Sequence, residues 1–167
     1  MPALFSVPIH AIGLSRHRLR LRGFGVRADP VARYRLPLHC TSRFDREQPD
    51  GDRGGNLVAL CARPCRSELH ALWDDILGTR TDPESAIRKA AKLDPPDPRL
   101  ALVSNEDVWI AESLQAAKTS VYVDPIGLGA GPFTVDAGYR KQARAVAMER
   151  VALAGARLAN LLNAALK

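Results

Sequence analysis

The last third of the chain carries one long apolar stripe that can be buried only against other helices. Its members recur at spacings of three and four, the positions that share one face of an α-helix. Thr134, ahead of the stripe, is a suitable N-cap residue. The stripe therefore predicts a long terminal helix that packs along a mainly α-helical domain. Its members are Ala143, Ala147, Val151, Ala154, Leu158, Leu161 and Ala165.

Shorter helices are predicted ahead of this stripe from their start and stop signals. Ser67 is a candidate N-cap, and Gly78 is a stop signal after the same segment. Asp82 followed by Pro83 provides an N-cap and a proline at the first helical position. Ser104 begins a pattern that resembles a capping box, and prolines between 94 and 98 exclude helix there. The predicted ranges are 67–77, 82–93 and 104–121.

Residues 36–66 have the composition of a loop. Glycine, proline, asparagine and aspartate are frequent there, and these residues favour turns. Only Leu57–Leu60 is apolar, and this segment fits either a short strand or the start of a helix. No stretch of the chain approaches the ~20 apolar residues that a membrane-crossing helix needs, so we expect no membrane partner.

The positive charge of the chain is concentrated at its beginning. Residues 1–35 contain seven arginines, no lysine and one acid. The basic and acidic side chains of the other residues cancel, so residues 1–35 carry the whole net charge of +6. We expect residues 1–35 to be an irregular leader, disordered or translated from a shifted reading frame. A basic arm that attracts nucleic-acid phosphates is the alternative. No signal peptide is evident, because no basic segment precedes the mildly apolar start.

Three cysteines, Cys40, Cys61 and Cys65, leave at least one thiol without a partner in the chain. Cys61 and Cys65 are close enough in sequence to close a small disulfide loop in an oxidising compartment. They fit two unpaired thiols equally well.

The candidate metal ligands are two histidines and an aspartate. His70 and Asp74 are four residues apart, so on a helix they project from one face. His39 is the only other histidine after the leader, which makes it the natural third ligand. Three protein ligands leave a position for water or substrate, as in catalytic zinc sites. The spacing of His70 and Asp74 also fits a surface ion pair.

Three ordered motifs give these residues a family context. Pro37-Leu38-His39, then Gly51-Asp52-Arg53-Gly54-Gly55-Asn56, then Leu69-His70-Ala71-Leu72-Trp73-Asp74 resemble the C-terminal motifs of the zinc-dependent single-strand nucleases of the mung bean nuclease type. These enzymes are relatives of the zinc phospholipases C. The resemblance continues through Trp109, Glu112 and Ser113 and into the last helix. It divides the chain into the leader, 1–35, and the C-terminal part of a nuclease domain, 36–167.

The resemblance implies a fold, a cofactor and a substrate. The implied fold is the helical phospholipase C/nuclease type. The implied cofactor is three zinc ions, with which the enzyme hydrolyses single-stranded DNA or RNA to 5′-phosphate products. His39, His70 and Asp74 match the ligands of the ion that stabilises the departing oxygen. Asn56 matches an asparagine near the scissile phosphate; from the residues alone it fits a turn residue that tolerates a left-handed conformation. Members of the family are secreted or periplasmic, and we expect a monomer.

The resemblance ends abruptly upstream of Pro37. Arg33 stands where the family has a metal-bridging aspartate, and a guanidinium cannot ligate zinc. The catalytic set is therefore expected to be incomplete, the chain truncated relative to the family, and its activity weak or absent. Two other functions compete: a non-catalytic zinc- or phosphate-binding remnant, and a nucleic-acid-binding protein that uses the basic arm.

Overall fold

The computed structural model describes residues 4–6, 36–62, 67–79 and 82–166, and this part of the chain is mainly helical, as predicted. A 3₁₀ turn, Pro37–Cys40, precedes the helices, and a π-helical segment, Ala117–Val121, extends the fourth of them. The strands are β1 (Leu4–Ser6) and β2 (Ser42–Phe44). The helices are α1 (Leu69–Asp75), α2 (Pro83–Ala90), α3 (Pro98–Ala101), α4 (Glu106–Ala116) and α5 (Ala137–Ala165).

The first two helices begin close to their predicted positions. Helix α1 starts at Leu69 rather than beside Ser67, with Glu68 at the N-cap position and no side-chain cap. Helix α2 starts as predicted: the Asp82 carboxylate accepts a hydrogen bond of 2.7 Å from the backbone N–H of Ser85. Both helices end earlier than the sequence predicts, because the chain already turns after Asp75 and after Ala90.

At the later helices a neighbouring residue replaces the predicted cap. Asn105, rather than Ser104, accepts from the backbone N–H of Asp107 at 2.9 Å. Asp136, rather than Thr134, accepts from the backbone N–H of Tyr139 at 2.7 Å. Asparagine and aspartate are caps as good as or better than serine and threonine. Where two good candidates stand close together, the sequence alone therefore does not decide which of them caps the helix.

Two segments differ from the loop expectations. Strand β1 pairs antiparallel with β2, with Leu4 opposite Phe44 and Ser6 opposite Ser42. Residues 1–3 and 7–35 lie outside the described part of the chain, so a disordered or frame-shifted leader stays a prediction. The apolar segment 57–60 is strand-like rather than helical, because Ala59 forms an antiparallel bridge with Glu68. This bridge brings the loop of residues 51–56 beside the start of α1.

The main core lies where α1 meets the first half of α5. Trp73 is fully buried, and its indole N–H donates to the Tyr139 hydroxyl at 3.1 Å. The Tyr139 hydroxyl in turn donates to the backbone oxygen of Val121 at 2.8 Å. Burial raises the pKa of Tyr139 to about 12. The buried members of this core are Leu38, Val58, Leu69, Trp73, Ala117, Val121, Ile126, Tyr139 and Ala143.

The stripe on α5 is buried along only part of its length. Ala143, Ala147 and Ala154 are buried, whereas Leu161 is 38% exposed. Between them the same helix buries Arg150 and Arg157, which no apolar pattern predicts. Helix α5 therefore packs by its alanines and by two arginines that reach back to α4.

Candidate metal centre

His39, His70 and Asp74 converge in the structure. Nε2 of His39 lies 2.8 Å from Oδ1 of Asp74, and Nε2 of His70 lies 3.5 Å from Oδ2 of the same carboxylate. The two imidazole rings stack with their centroids 5.5 Å apart. One ligand atom from each residue lies within 4.8 Å of the others. Two imidazole nitrogens and a carboxylate oxygen are a donor set that zinc accepts.

Each ligand comes from a locally ordered segment. His70 and Asp74 lie one turn apart on α1, and the neighbouring face of this helix is buried through Leu69 and Trp73. His39 lies in the 3₁₀ turn, where Leu38 and Cys40 point into the core and leave the histidine partly exposed. Burying the flanking side chains thus directs each ligand outward.

A backbone carbonyl orients His70. Nδ1 of His70 lies 2.7 Å from the backbone oxygen of Gly54. A carbonyl can only accept, so Nδ1 carries a proton and Nε2 is the ring nitrogen on the side of Asp74. Histidines that bind metals almost always donate their second ring N–H in this way, which fixes tautomer and ring orientation.

The loop that presents this carbonyl needs its glycines. Gly54 and Gly55 have φ values of 65° and 84°, in the left-handed region. A Cβ on Gly54 would lie 2.5 Å from the backbone oxygen of Leu38. Asp52 anchors the loop: its fully buried carboxylate accepts from the backbone N–H of Arg43 at 3.0 Å. Asp52 was missed as a structural residue, although an aspartate in an otherwise small-residue turn is a signal for such a role.

We expect Gly54→Ala to weaken zinc binding by about 10–100-fold, because the displaced carbonyl no longer holds His70 Nδ1–H. The left-handed backbone should also cost about 1–2 kcal/mol of stability. Competition with a chromophoric chelator measures the affinity. Gly155→Ala is the control, since a Cβ there meets nothing within 4 Å. Equal zinc affinity of the two variants would contradict the orienting role of Gly54.

Asn56 lies in the same loop and closes it. Its side-chain amide donates to the backbone oxygen of Arg53 at 2.7 Å. The non-glycine residue of the loop with a left-handed backbone is Arg53, with φ of 55°. The expectation of a left-handed backbone at Asn56 is therefore wrong. The side chain is exposed, and its contact with a substrate phosphate stays a prediction.

The three candidate ligands remain accessible. The side chains of His39, His70 and Asp74 are 21%, 22% and 46% exposed. Within the described residues, they form the only group of three or more histidine, cysteine, aspartate or glutamate side chains that could hold a metal ion. Arg33 lies outside the described residues. The three residues therefore form a candidate three-ligand site that solvent can reach.

Cys40 follows His39 in the same 3₁₀ turn but is not part of the candidate ligand group. Cys40 is buried with a free thiol, and burial raises the pKa of that thiol. Cys65 lies outside the described residues, so a disulfide between Cys61 and Cys65 stays a prediction.

Comparison with known proteins adds one match. The family described as S1/P1 Nuclease matches residues 34–167. Neither a search of curated proteins nor a search of solved structures found a match. The matched range includes all three candidate ligands, the loop that carries Gly54 and all five helices. No helix in the described part of the chain is long and apolar enough to cross a membrane.

Proposed function

The chain belongs to the S1/P1 nuclease family, and we propose that it is a zinc-dependent endonuclease that hydrolyses single-stranded DNA or RNA to 5′-phosphate products. The observation that carries this proposal is the convergence of His39, His70 and Asp74, with His70 held in the metal-binding tautomer by Gly54. The substrate class follows from the family, since a nuclease acts on nucleic acid.

The residues that would hold zinc supply complementary properties. His39 and His70 offer neutral nitrogen donors, and Asp74 offers the negative charge that offsets part of the charge of the ion. Zinc bound there would stabilise the negative charge that develops on the departing oxygen. The Gly54 carbonyl retains the Nδ1 proton of His70, and the Asn56 amide is placed on an exposed loop where it can donate to a phosphate oxygen.

We expect the activity of this chain to be weak. The family resemblance assigns the nucleophile-generating metals to ligands upstream of Pro37, and it places Arg33 at one of those positions. The described residues supply one three-ligand group. Under this proposal residues 36–167 form the nuclease part, residues 1–35 the leader, and the protein is a secreted or periplasmic monomer.

A second candidate is a zinc- or phosphate-binding protein without catalysis. The same observation favours it, because a single three-ligand centre binds a metal without a partner centre to activate the attacking water. The two candidates agree on zinc uptake and differ on cleavage.

The test combines a metal assay with a cleavage assay on the full chain. Purified protein loaded with zinc is dialysed and its metal content measured, then incubated with labelled single-stranded oligothymidylate. We expect bound zinc and slow cleavage that EDTA stops and added zinc restores, with phosphatase-sensitive 5′ ends on the products. Zinc without cleavage selects the second candidate. Failure to retain zinc contradicts both.

A further inference from the structure

A cleft of about 630 Å³ opens beside the metal centre, between α1, α2 and α5. His39 and Asp74 form part of its edge, so the cleft is continuous with the candidate ligands. Three basic side chains also line it: Lys89 at the end of α2, Lys92 just after α2, and Arg144 on α5. We call this surface the basic cleft.

Two of the cations converge on the end of α1. Lys89 Nζ donates to the backbone oxygen of Leu77 at 3.1 Å, and Arg144 Nη1 donates to the backbone oxygen of Ile76 at 2.8 Å. These oxygens follow Asp74 by two and three positions in the chain. Cations from two different helices are thus held close to the metal centre, and each keeps further N–H donors for a ligand.

Of the described residues, Asp74 is the one acid that lines the basic cleft, and it pairs with the histidines rather than with the three cations. Among the described residues, no ion pair joins Lys89, Lys92 or Arg144 to a carboxylate, whereas Arg150 and Arg157 both pair with Glu112. Favourable interaction with the C-terminal end of α1 accounts for Lys89 and Arg144. It does not account for Lys92, which adds a third exposed charge to the same cleft.

Part of the wall of the basic cleft is apolar. Leu77 contributes from α1, Leu93 follows α2, and Met148 and Val151 contribute from α5. Basic groups beside an apolar surface match the two faces of a nucleic-acid strand, whose phosphates are anionic and whose bases and sugars have apolar faces.

We propose that the basic cleft is the track for single-stranded nucleic acid next to the scissile phosphate. Phosphates lie against Lys89, Lys92 and Arg144, and the adjoining bases and sugars lie on the apolar wall. This inference rests on the proposed nuclease function, since it makes the strand continuous with the metal centre. Two observations support it: the cations of the basic cleft complement the phosphate charge, and His39 and Asp74 belong both to the basic cleft and to the candidate metal centre.

The test compares two triple variants with equal loss of charge. Lys89→Gln/Lys92→Gln/Arg144→Gln removes the cations of the basic cleft. The control removes three exposed cations of α2 and α5 that do not line it: Arg88→Gln/Arg140→Gln/Lys141→Gln. Both are made in the full chain, so the leader charge stays constant. Fluorescence anisotropy of labelled oligothymidylate in EDTA, at several salt concentrations, measures binding without cleavage.

We expect the cleft variant to lose about tenfold or more in affinity and the control about threefold or less. Each phosphate contact contributes about 0.7 to the slope of log affinity against log salt, so the cleft variant should show a slope shallower by about 2. Equal losses in the two variants overturn the proposal. So does a cleft variant that loses binding to anionic lipid vesicles while keeping its affinity for oligothymidylate.

Folding and catalysis are separated by further variants. Lys89 and Arg144 contact the end of α1, so the single variant Lys92→Gln, which removes neither contact, should still weaken binding by about twofold to threefold. Because binding is measured in EDTA, a difference in metal content does not contribute to the difference between the variants. If the chain takes up zinc and cleaves, and the cleft variant binds oligothymidylate like the wild type, the nuclease function stands and the track is rejected. If the chain takes up no zinc but the cleft variant loses affinity as expected, the track stands and the nuclease function is rejected.

Discussion

Replacing Glu112 by glutamine is expected to lower the free energy of unfolding by about 3–5 kcal/mol. Glu112 on α4 joins two arginines of α5: Oε2 lies 3.0 Å from Arg150 Nη1, and Oε1 lies 2.8 Å from Arg157 Nη2. The side chains of Arg150 and Arg157 are only 10% and 3% exposed. Removing the carboxylate takes away the anion that both buried guanidinium groups share.

Two further hydrogen bonds of these arginines are too weak to replace the carboxylate. Arg150 donates to the Ser113 hydroxyl at 2.8 Å, and Arg157 donates to the backbone oxygen of Leu100 at 3.2 Å. Both acceptors are neutral dipoles, whereas a carboxylate forms stronger, charge-assisted bonds. Glutamine keeps one acceptor oxygen but turns an NH₂ group towards the second guanidinium.

Denaturant unfolding at neutral pH measures this effect, with Glu149→Gln as the control. Glu149 lies exposed on α5 and loses the same charge, so its substitution should change the free energy of unfolding by less than about 0.5 kcal/mol. Equal stability of the two variants would show that Glu112 does not hold α4 to α5.

The stability lost in Glu112→Gln should depend on pH. Burial acts to raise the pKa of Glu112, but hydrogen bonds from Arg157 and Arg150 outweigh it and hold the pKa below its usual value. The stabilisation that such a carboxylate contributes is complete above its pKa in the unfolded state, about 4.3. It is lost as the pH falls through the lower pKa of the same group in the folded state. The gap between wild type and Glu112→Gln should therefore be widest near neutral pH and close in acid.

Asp74→Asn is expected to reduce zinc affinity by about 100-fold or more, beyond the 10–100-fold typical of losing an outer-shell partner. The Asp74 carboxylate is the one anion of the centre and contacts both histidines, at 2.8 Å from His39 and 3.5 Å from His70. An amide of the same size carries no charge and donates through its nitrogen. Two neutral imidazoles alone are a poor zinc site.

Asp75→Asn is the matched control, because it removes the same charge from the next residue of α1. Asp75 is exposed and lies outside the ligand group. Competition titration with a chromophoric chelator should separate the two variants, and any zinc-dependent cleavage should disappear only in Asp74→Asn. If both variants bind zinc like the wild type, the three residues are a surface ion-pair cluster.

Local patterns predicted four of the five described helices and placed their ends less well, whereas α3 was not predicted. Periodicity placed α5, and Asp82 with Pro83 placed the start of α2. The predicted N-cap was wrong where two good candidates stood close together, as with Thr134 and Asp136. Choosing between them depends on which side chain reaches a free N–H once the incoming chain has its path, and the sequence does not contain that path.

The motifs singled out His39, His70 and Asp74, because their order and spacing are a local property that a sequence carries. Their convergence required the 3₁₀ turn to meet α1 through the buried Leu38 and Leu69. The role of the Gly54 carbonyl was decided by tertiary structure, since no residue type marks which carbonyl will face an imidazole.

The sequence by itself determined that this chain forms a mainly helical domain with a long terminal helix and three candidate zinc ligands, because periodicity, caps and motifs act over neighbouring residues. Only the tertiary structure decided that Arg150 and Arg157 are buried on Glu112 and that Lys89, Lys92 and Arg144 share a cleft with His39 and Asp74. Pairing of charges between helices is a long-range contact. It depends on how the helices pack, and no local pattern encodes it.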